Sequence, residues 1–199
     1  IGVLAAGVSA VMALILGICA ATLGKKVDSA ISFAIDTVMG IPHILLLILI
    51  SYAMGKGVKG VIAGVALTHW TSLARLIRGE VMQLRESEYI QIAGKLGLGK
   101  WEIAKKHIVP HVLPQFIVGL VLLFPHAILH ESSITFLGFG LSTEQPAIGV
   151  ILSESMRYLI MGKWWLAVFP GMMLVLTVVL FEKGGTALRQ LLDPGSVHK

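Results

Sequence analysis

Long uncharged stretches, separated by short segments that carry the charges, form the dominant pattern along this chain. Five such stretches occur, at residues 1–24, 37–54, 60–74, 112–129 and 164–181. A helix that crosses the hydrocarbon core of a bilayer needs roughly 20 mostly apolar residues. The third stretch reaches that length only if residues 58–77 are included, and Pro42 should kink the second. The pattern therefore predicts an all-α, polytopic bundle of about five membrane-spanning helices.

The composition agrees with a membrane protein and excludes several other classes. Hydrophobic residues make up 56% of the chain and charged residues only 14%, whereas a soluble domain carries about 25% charge. That shortfall excludes a disordered chain and a typical cytosolic enzyme. The single cysteine, Cys19, excludes a disulfide framework and a metal site built from cysteines. A net charge of +5 in so apolar a chain indicates membrane orientation rather than nucleic-acid binding.

The positions of lysine and arginine predict how the chain lies across the membrane. Seven of them fall between the third and fourth predicted spans, and positive charges are enriched on cytoplasmic loops. With that loop inside, 12 of the 16 lysines and arginines lie in the cytoplasm and four lie outside. This arrangement places the C-terminus in the cytoplasm and residue 1 outside. We therefore expect a further span upstream of residue 1.

Residues 132–163 are too many and too apolar for a plain loop, and glycines and Pro146 interrupt them. We expect short half-helices at the extracytoplasmic face, either lying on it or re-entrant. Such backbone is tolerated at membrane depth only where it is buried in protein or lines a cavity. Residues 1–199 as a whole are expected to form a single transmembrane domain.

Residues 86–110 form the most informative loop. Its first half carries apolar residues with the spacing of one helix face: Tyr89, Ile92, Ala93 and Leu96. Gly97 ends that helix, and a basic helix follows. Two such helices suit docking into a groove of a partner protein. They suit lying on the anionic inner leaflet of the membrane equally well.

A phosphate-binding motif is almost matched in the same loop. Residues 94–100 read G-x-x-x-x-G-K, but the next position, which should offer a hydroxyl to magnesium, is Trp101. No buried strand is predicted before Gly94. We therefore expect no ATPase site and no bound cofactor in this chain.

The loop resembles the E-A-A loop of permease subunits in binding-protein-dependent ABC importers. In that pattern E-A-A-x3-G is followed, after nine residues, by I-x-L-P. Here Ala93 and Gly97 match the second alanine and the glycine, Pro110 matches the proline, and Gln91 stands at the glutamate position. The blocks SSITFLGFG, WWLAVFPGMML and LRQLLDP support the resemblance. It is nearest to the second nickel permease subunit within the dipeptide, oligopeptide and nickel class.

This resemblance implies a type I importer transmembrane domain in the bacterial inner membrane, surrounded by lipid and binding no nucleic acid. The expected partners are two ATPase subunits, a homologous second permease subunit and an extracytoplasmic substrate-binding protein. The partner ATPases would use ATP and magnesium, and nickel is the candidate cargo. Coupling to the ATPases is expected from five loop residues, Tyr89, Gln91, Ala93, Gly97 and Pro110.

Histidines inside the predicted spans are the candidate cargo residues, because ionisable groups there are costly and are functional candidates by default. His126 and His130 stand four apart on one helix face, which suits nickel, copper or zinc. Glu131 could add an oxygen ligand or orient a histidine. In a purely structural interpretation, both histidines bond to a neighbouring helix. The resemblance implies nickel at His126 and His130, with His69 also on the path.

The remaining histidines receive weaker assignments. His43 follows Pro42 and is interpreted as a kink residue that could line the path. His107 and His111 form a second pair at the other end of the fourth span, about 22 Å away from the first pair. The two pairs therefore cannot share one ion.

Three alternatives to nickel import stay open at this point. The same architecture could carry di- or oligopeptides. An intramembrane metalloenzyme with histidine boxes would need its ligands on one side of the membrane, whereas the two pairs lie at opposite ends. An ion-coupled transporter that works alone would need an internal repeat or a pair of broken helices, and the sequence shows neither.

Overall fold

The computed structural model describes residues 1–192, and within that range the chain contains helices and no strand. In chain order they are α1 (Gly2–Thr22), α2 (Lys25–Gly40), α3 (His43–Ala53), α4 (Gly57–Glu86), α5 (Glu88–Lys95), α6 (Lys100–Ile103), a π-helical turn (Ala104–Ile108), α7 (Val109–Phe136), α8 (Ile148–Leu159) and α9 (Trp165–Leu192). The all-α prediction is confirmed. Residues 193–199, on which part of the orientation argument rests, lie outside the described range.

Four helical stretches of the described range are long and apolar enough to cross a membrane. They are α1, α4, the continuous stretch Trp101–Phe136 and α9. The pair formed by α2 and α3 passes the same test together but is bent by 97°. Counting that pair as one span gives five, as the hydrophobic pattern predicted.

The bend between α2 and α3 is sharper than the kink that the sequence predicted for residues 37–54. Pro42 has no N–H to continue a helix, and its ring disfavours helical geometry at the preceding residue. Ile41 accordingly adopts an extended conformation, with φ −90° and ψ 135°. The chain therefore ends one helix at Gly40 and starts a new one at His43, in a different direction.

The helix α4 runs well past the residue at which the third apolar stretch ends. Arg75 and Arg78 lie within it and pair with carboxylates of α2. Arg78 contacts Asp28 through two nitrogens, at 2.5 and 2.7 Å, and Arg75 contacts Asp36 at 2.7 Å. These pairs hold α2 against the second half of α4.

The most extensive helix–helix contact of the described residues is between α1 and α4. The buried face of α1 consists of small residues at helical spacing, among them Ala6, Ala10, Ala13 and Gly17. A methyl group added at Gly17 would lie 2.8 Å from the Ala74 carbonyl oxygen and 2.9 Å from a side-chain carbon of Ile77. Small residues let helix backbones approach closely in this way, which is how helices associate in lipid.

The region predicted as extracytoplasmic half-helices, residues 132–163, contains one separate helix. Its first residues continue α7 to Phe136, and α8 follows after a glycine-containing turn. Two hydrogen bonds attach this turn to the end of α3 and the start of α4. Ser51 Oγ donates to the Phe139 carbonyl oxygen at 2.7 Å, and the Gly57 N–H donates to the Gly140 carbonyl oxygen at 3.0 Å.

Candidate functional site

A cavity of about 700 Å³ opens between the α2–α3 bend, α4 and α7. Leucines and other apolar side chains form most of its wall. The polar groups in that wall are four histidines and three hydroxyl side chains, His43, His69, His126, His130, Thr68, Thr71 and Ser72. Ionisable side chains inside an apolar bundle are costly in lipid, so the histidines mark this cavity as a candidate path for cargo.

Three of these histidines meet at one point in the wall. His43 begins α3, His69 lies in the middle of α4, and His130 lies on α7. One ring nitrogen from each lies within 4.8 Å of the other two, and the ring centroids are 4.5 to 4.8 Å apart. We call His43, His69 and His130 the histidine cluster. Three helices contribute one imidazole each, so tertiary packing alone brings them together.

Hydrogen bonds indicate which nitrogen of His69 carries the proton. Its Nδ1 lies 3.1 Å from the Val65 carbonyl oxygen and 3.0 Å from the Thr68 hydroxyl. A carbonyl oxygen only accepts hydrogen bonds, so Nδ1 carries the proton and Nε2 keeps its lone pair. The Nε2 atoms of His69 and His43 are both buried, and neither has a hydrogen-bond partner in the described part of the chain.

Those two nitrogens require an explanation, because a buried polar group without a partner costs about 1–3 kcal/mol. His69 is only 8% exposed. A metal-bound histidine shows the same arrangement, with one nitrogen hydrogen-bonded to a carbonyl and the other free for the ion. Three imidazoles without a thiolate suit nickel, zinc, copper or cobalt rather than magnesium or calcium, which prefer oxygen ligands.

The structure separates the two members of the predicted metal pair. His130 belongs to the histidine cluster, together with His69 from the predicted path. His126 lines the same cavity but lies outside the cluster; it is exposed, and its Nδ1 lies 2.8 Å from the Leu122 carbonyl oxygen. Metal binding by His126 stays a prediction.

Glu131 is directed to the turn after α7. Its carboxylate accepts hydrogen bonds from Thr135 Oγ1 at 2.9 Å and from Ser132 Oγ at 3.3 Å. Thr135 Oγ1 in turn accepts one from the Leu141 N–H at 3.0 Å. The carboxylate thus supports the fold of residues 136–141, and it is not part of the histidine cluster.

Sequence reasoning interpreted His43 as a kink residue that could line the path, and it did not join His43 to the other histidines. One signal was available, a histidine directly after a proline inside an apolar stretch. Its interpretation required the size of the bend, which the sequence does not give.

The residues predicted to couple to an ATPase lie around α5, at the other end of α4 from the α3–α4 connection. Gly97 has φ +92°, which a glycine adopts without strain. Tyr89 is 50% exposed and faces the His107 ring at 6.1 Å, while Gln91 donates to the Glu86 carbonyl. Ala93 lies on α5, and Pro110 is the second residue of α7.

Comparison with known proteins identifies the family. The family described as binding-protein-dependent transport system inner membrane component matches residues 13–196. The dipeptide transport system permease protein DppC of Bacillus subtilis is 31% identical over 194 residues, and the oligopeptide permease OppC of the same organism is 30% identical. Each alignment covers 98% of this chain, which spans 61% of the first relative and 63% of the second.

The fold agrees with that assignment. The chain is similar to an inward-facing structure of the methionine ABC transporter MetNI, with a TM-score of 0.76 and 16% identity over 96% of this chain and 93% of that one. The names of the sequence relatives concern peptides, which agrees better with the alternative cargo considered above than with nickel. The chain belongs to the family of binding-protein-dependent transport system inner membrane components.

Proposed function

We propose that this chain forms part of the membrane pathway of an ATP-driven importer, and that the pathway carries a transition-metal ion, with nickel as the expected cargo. The observation that carries this proposal is the cavity between α3, α4 and α7, with four histidines in its wall. Borderline divalent ions bind imidazole well. His126 at an exposed position of the wall, followed by His69 and His130, offers such an ion successive ligands.

Energy for transport would come from two separate ATPase subunits that bind residues 86–110 and use ATP and magnesium. Two large apolar side chains in that loop are almost fully exposed, Leu96 at 76% and Trp101 at 81%, and exposure of so much apolar surface to water is unfavourable. A hydrophobic groove on an ATPase would cover them. The proposal also includes a homologous second permease subunit, an extracytoplasmic binding protein and a cytoplasmic C-terminus.

Import of di- or oligopeptides is the second candidate, and two observations favour it. The relatives reported above are named for peptides. The cavity volume of about 700 Å³ also lies in the range of roughly 300–1,000 Å³ that is typical of sites for small organic ligands.

Uptake measurements separate the two cargoes. Cells that lack their own nickel and peptide importers would express the full transporter, and nickel and a labelled dipeptide would be measured in parallel. We expect ATP-dependent nickel uptake that is lost in the double variant His126→Ala/His130→Ala. His111→Ala is the matched control, because His111 is exposed and lies outside the cavity wall.

Expression and ATPase assembly would be checked for each variant, so that lost uptake is not confused with lost folding. Dipeptide uptake without nickel uptake would contradict the metal cargo and favour the second candidate. Nickel uptake that survives in the double variant would remove these two histidines from the path.

A further inference from the structure

We infer that His43, His69 and His130 form a three-ligand binding site for one divalent transition-metal ion, with a fourth coordination position open to the cavity. The inference rests on the proposed function in that the bound ion is the proposed cargo. It differs from the pair that the sequence predicted, because it includes His43 and leaves out His126.

The distances between the ligand atoms approach those of a metal site. An ion that binds three nitrogens at about 2.0–2.1 Å in tetrahedral geometry holds them about 3.4 Å apart. The cluster nitrogens lie within 4.8 Å of one another. Rotation of the imidazole rings about their side-chain bonds must bring each nitrogen closer to a common centre by about 1 Å or less for one ion to bind all three.

The state of the nitrogens indicates that the cluster is built to accept a ligand. His69 Nδ1 donates to a carbonyl within its own helix, which leaves Nε2 as an acceptor. Among the described residues, His43 Nε2 is also buried without a hydrogen-bond partner. An ion between the rings would coordinate both nitrogens at once. Without an ion, both nitrogens stay buried without a hydrogen bond, and the free-energy cost of their desolvation is not offset.

The number and type of ligands narrow the class of ion. In the described part of the chain the cluster holds three imidazoles and no carboxylate or thiolate. Hard ions such as magnesium and calcium bind poorly to such a set, while nickel, cobalt, zinc and copper bind well. Three protein ligands are also the arrangement of zinc sites that exchange their fourth ligand, in contrast to closed structural sites with four. We therefore expect a bound ion that exchanges with the cavity.

The α2–α3 bend controls whether the third ligand is present. His43 begins α3 directly after Pro42, and the two helices meet at 97°. His69 and His130 come from helices that cross the whole bundle. Binding of an ion would thus fasten the bend to α4 and α7, and straightening of the bend would remove one ligand of three.

Metal binding to the assembled transporter tests this inference directly. The full-length permease, with its ATPase subunits, would be purified through a tag without histidines and titrated with Co²⁺, whose visible absorption reports ligand number, and with Ni²⁺ by equilibrium dialysis. We expect one ion for each copy of this chain. His43→Ala, His69→Ala and His130→Ala should each weaken binding by about 100-fold or more, beyond the 10–100-fold typical of outer-shell changes.

Two controls make the result specific. His111→Ala, at an exposed position outside the cavity wall, should keep one ion with affinity within a few-fold of wild type. His69→Gln keeps most of the side-chain volume and an amide that can donate to Val65, so it should assemble normally and still lose the ion. Absence of binding in the wild-type complex, or full binding in His43→Ala, would overturn the inference.

Failure of this inference can be told apart from failure of the proposed function. If an ion binds at the histidine cluster but the transporter takes up only dipeptides, the inferred metal site is supported and the proposed metal cargo is contradicted. If the transporter takes up nickel with ATP but its histidine cluster binds no ion, the proposed cargo is supported and the inferred metal site is contradicted.

Discussion

The two faces of α4 differ in packing and in chemistry. On one face Ala74 and Ile77 meet Gly17 of α1 so closely that no methyl group fits between the helices. On the other face His69 and Thr68 border a cavity of about 700 Å³. The α4 side chains named on the first face are apolar, while the second face contains His69 Nε2, which is buried without a hydrogen-bond partner in the described part of the chain.

This difference separates the contact that stabilises the bundle, on the α1 side of α4, from the site that the bundle positions, on the cavity side. The face toward α1 supplies stability through close backbone contact, as is typical of helices in lipid. The cavity face gives up stability to keep unsatisfied polar groups, which proteins do mainly at functional sites. A rigid first face is what allows ligands on the second to be positioned within fractions of an ångström.

Of the substitutions compared here, Gly17→Ala should lower the stability of the bundle most. The added methyl group would overlap the Ala74 carbonyl oxygen and Ile77, and overpacking of this kind costs about 1–3 kcal/mol. Gly7→Ala is the matched control on the same helix, because no described residue outside the helix's own backbone lies within 4 Å of its added methyl group. Thermal melting of the purified complex should rank Gly17→Ala lowest. Equal melting temperatures would contradict the distinction between the two faces.

A second prediction concerns how α2 is held beside the cavity. Asp28 receives two hydrogen bonds from Arg78, and both side chains are about a quarter exposed, whereas Asp36 and Arg75 share one contact and are mostly exposed. Asp28→Asn should therefore cost about 1–2 kcal/mol. The more exposed pair should contribute about 0–1 kcal/mol, and Asp36→Asn is the control. A double-mutant cycle with each arginine measures the two couplings, and a larger coupling for Asp36 would contradict the prediction.

The coupling loop at the end of α4 allows a third comparison between matched positions. Gly97→Ala places a methyl group on a residue with φ +92°, which costs about 1–2 kcal/mol in that conformation. Gly99 has an ordinary φ and open space around it, so Gly99→Ala is the control. Under the proposed coupling, Gly97→Ala should lower the amount of ATPase that co-purifies and Gly99→Ala should not. Equal recovery in both would remove Gly97 from the proposed coupling turn.

The smallest effect on stability is expected at the histidine cluster itself. His69→Leu removes the buried Nε2, which has no partner in the described part of the chain, but also the Nδ1 hydrogen bond to the Val65 carbonyl. These two effects oppose each other, so the melting temperature of the metal-free complex should change little. Metal binding should be lost at the same time. A clear fall in the melting temperature without metal would show that His69 supports the fold rather than a ligand.

The helical spans could be predicted from sequence because apolar stretches of the required length are a local property. The ends of α4 could not, since the third apolar stretch ends at residue 74 and the helix continues past Arg75 and Arg78 to Glu86. Their charges are neutralised by Asp28 and Asp36 from another helix, and a one-dimensional pattern does not show such pairs.

The histidine cluster shows the same limit at the level of the site. Helical periodicity relates His126 to His130, because four residues make about one turn, and it says nothing about contacts between helices. The cluster instead joins His130 to residues 61 and 87 positions earlier in the chain. Finding it required the 97° bend at Pro42, whose angle depends on packing.

Nickel X-ray absorption of the assembled, full-length transporter tests the account most directly, because it counts imidazole ligands around the ion. We predict about three imidazole rings at roughly 2.0–2.1 Å in the wild type, and a lower number in His43→Ala with no change in His126→Ala. A spectrum without imidazole scattering, or one that is identical in wild type and His43→Ala, would contradict the claim that the three helices bind one ion.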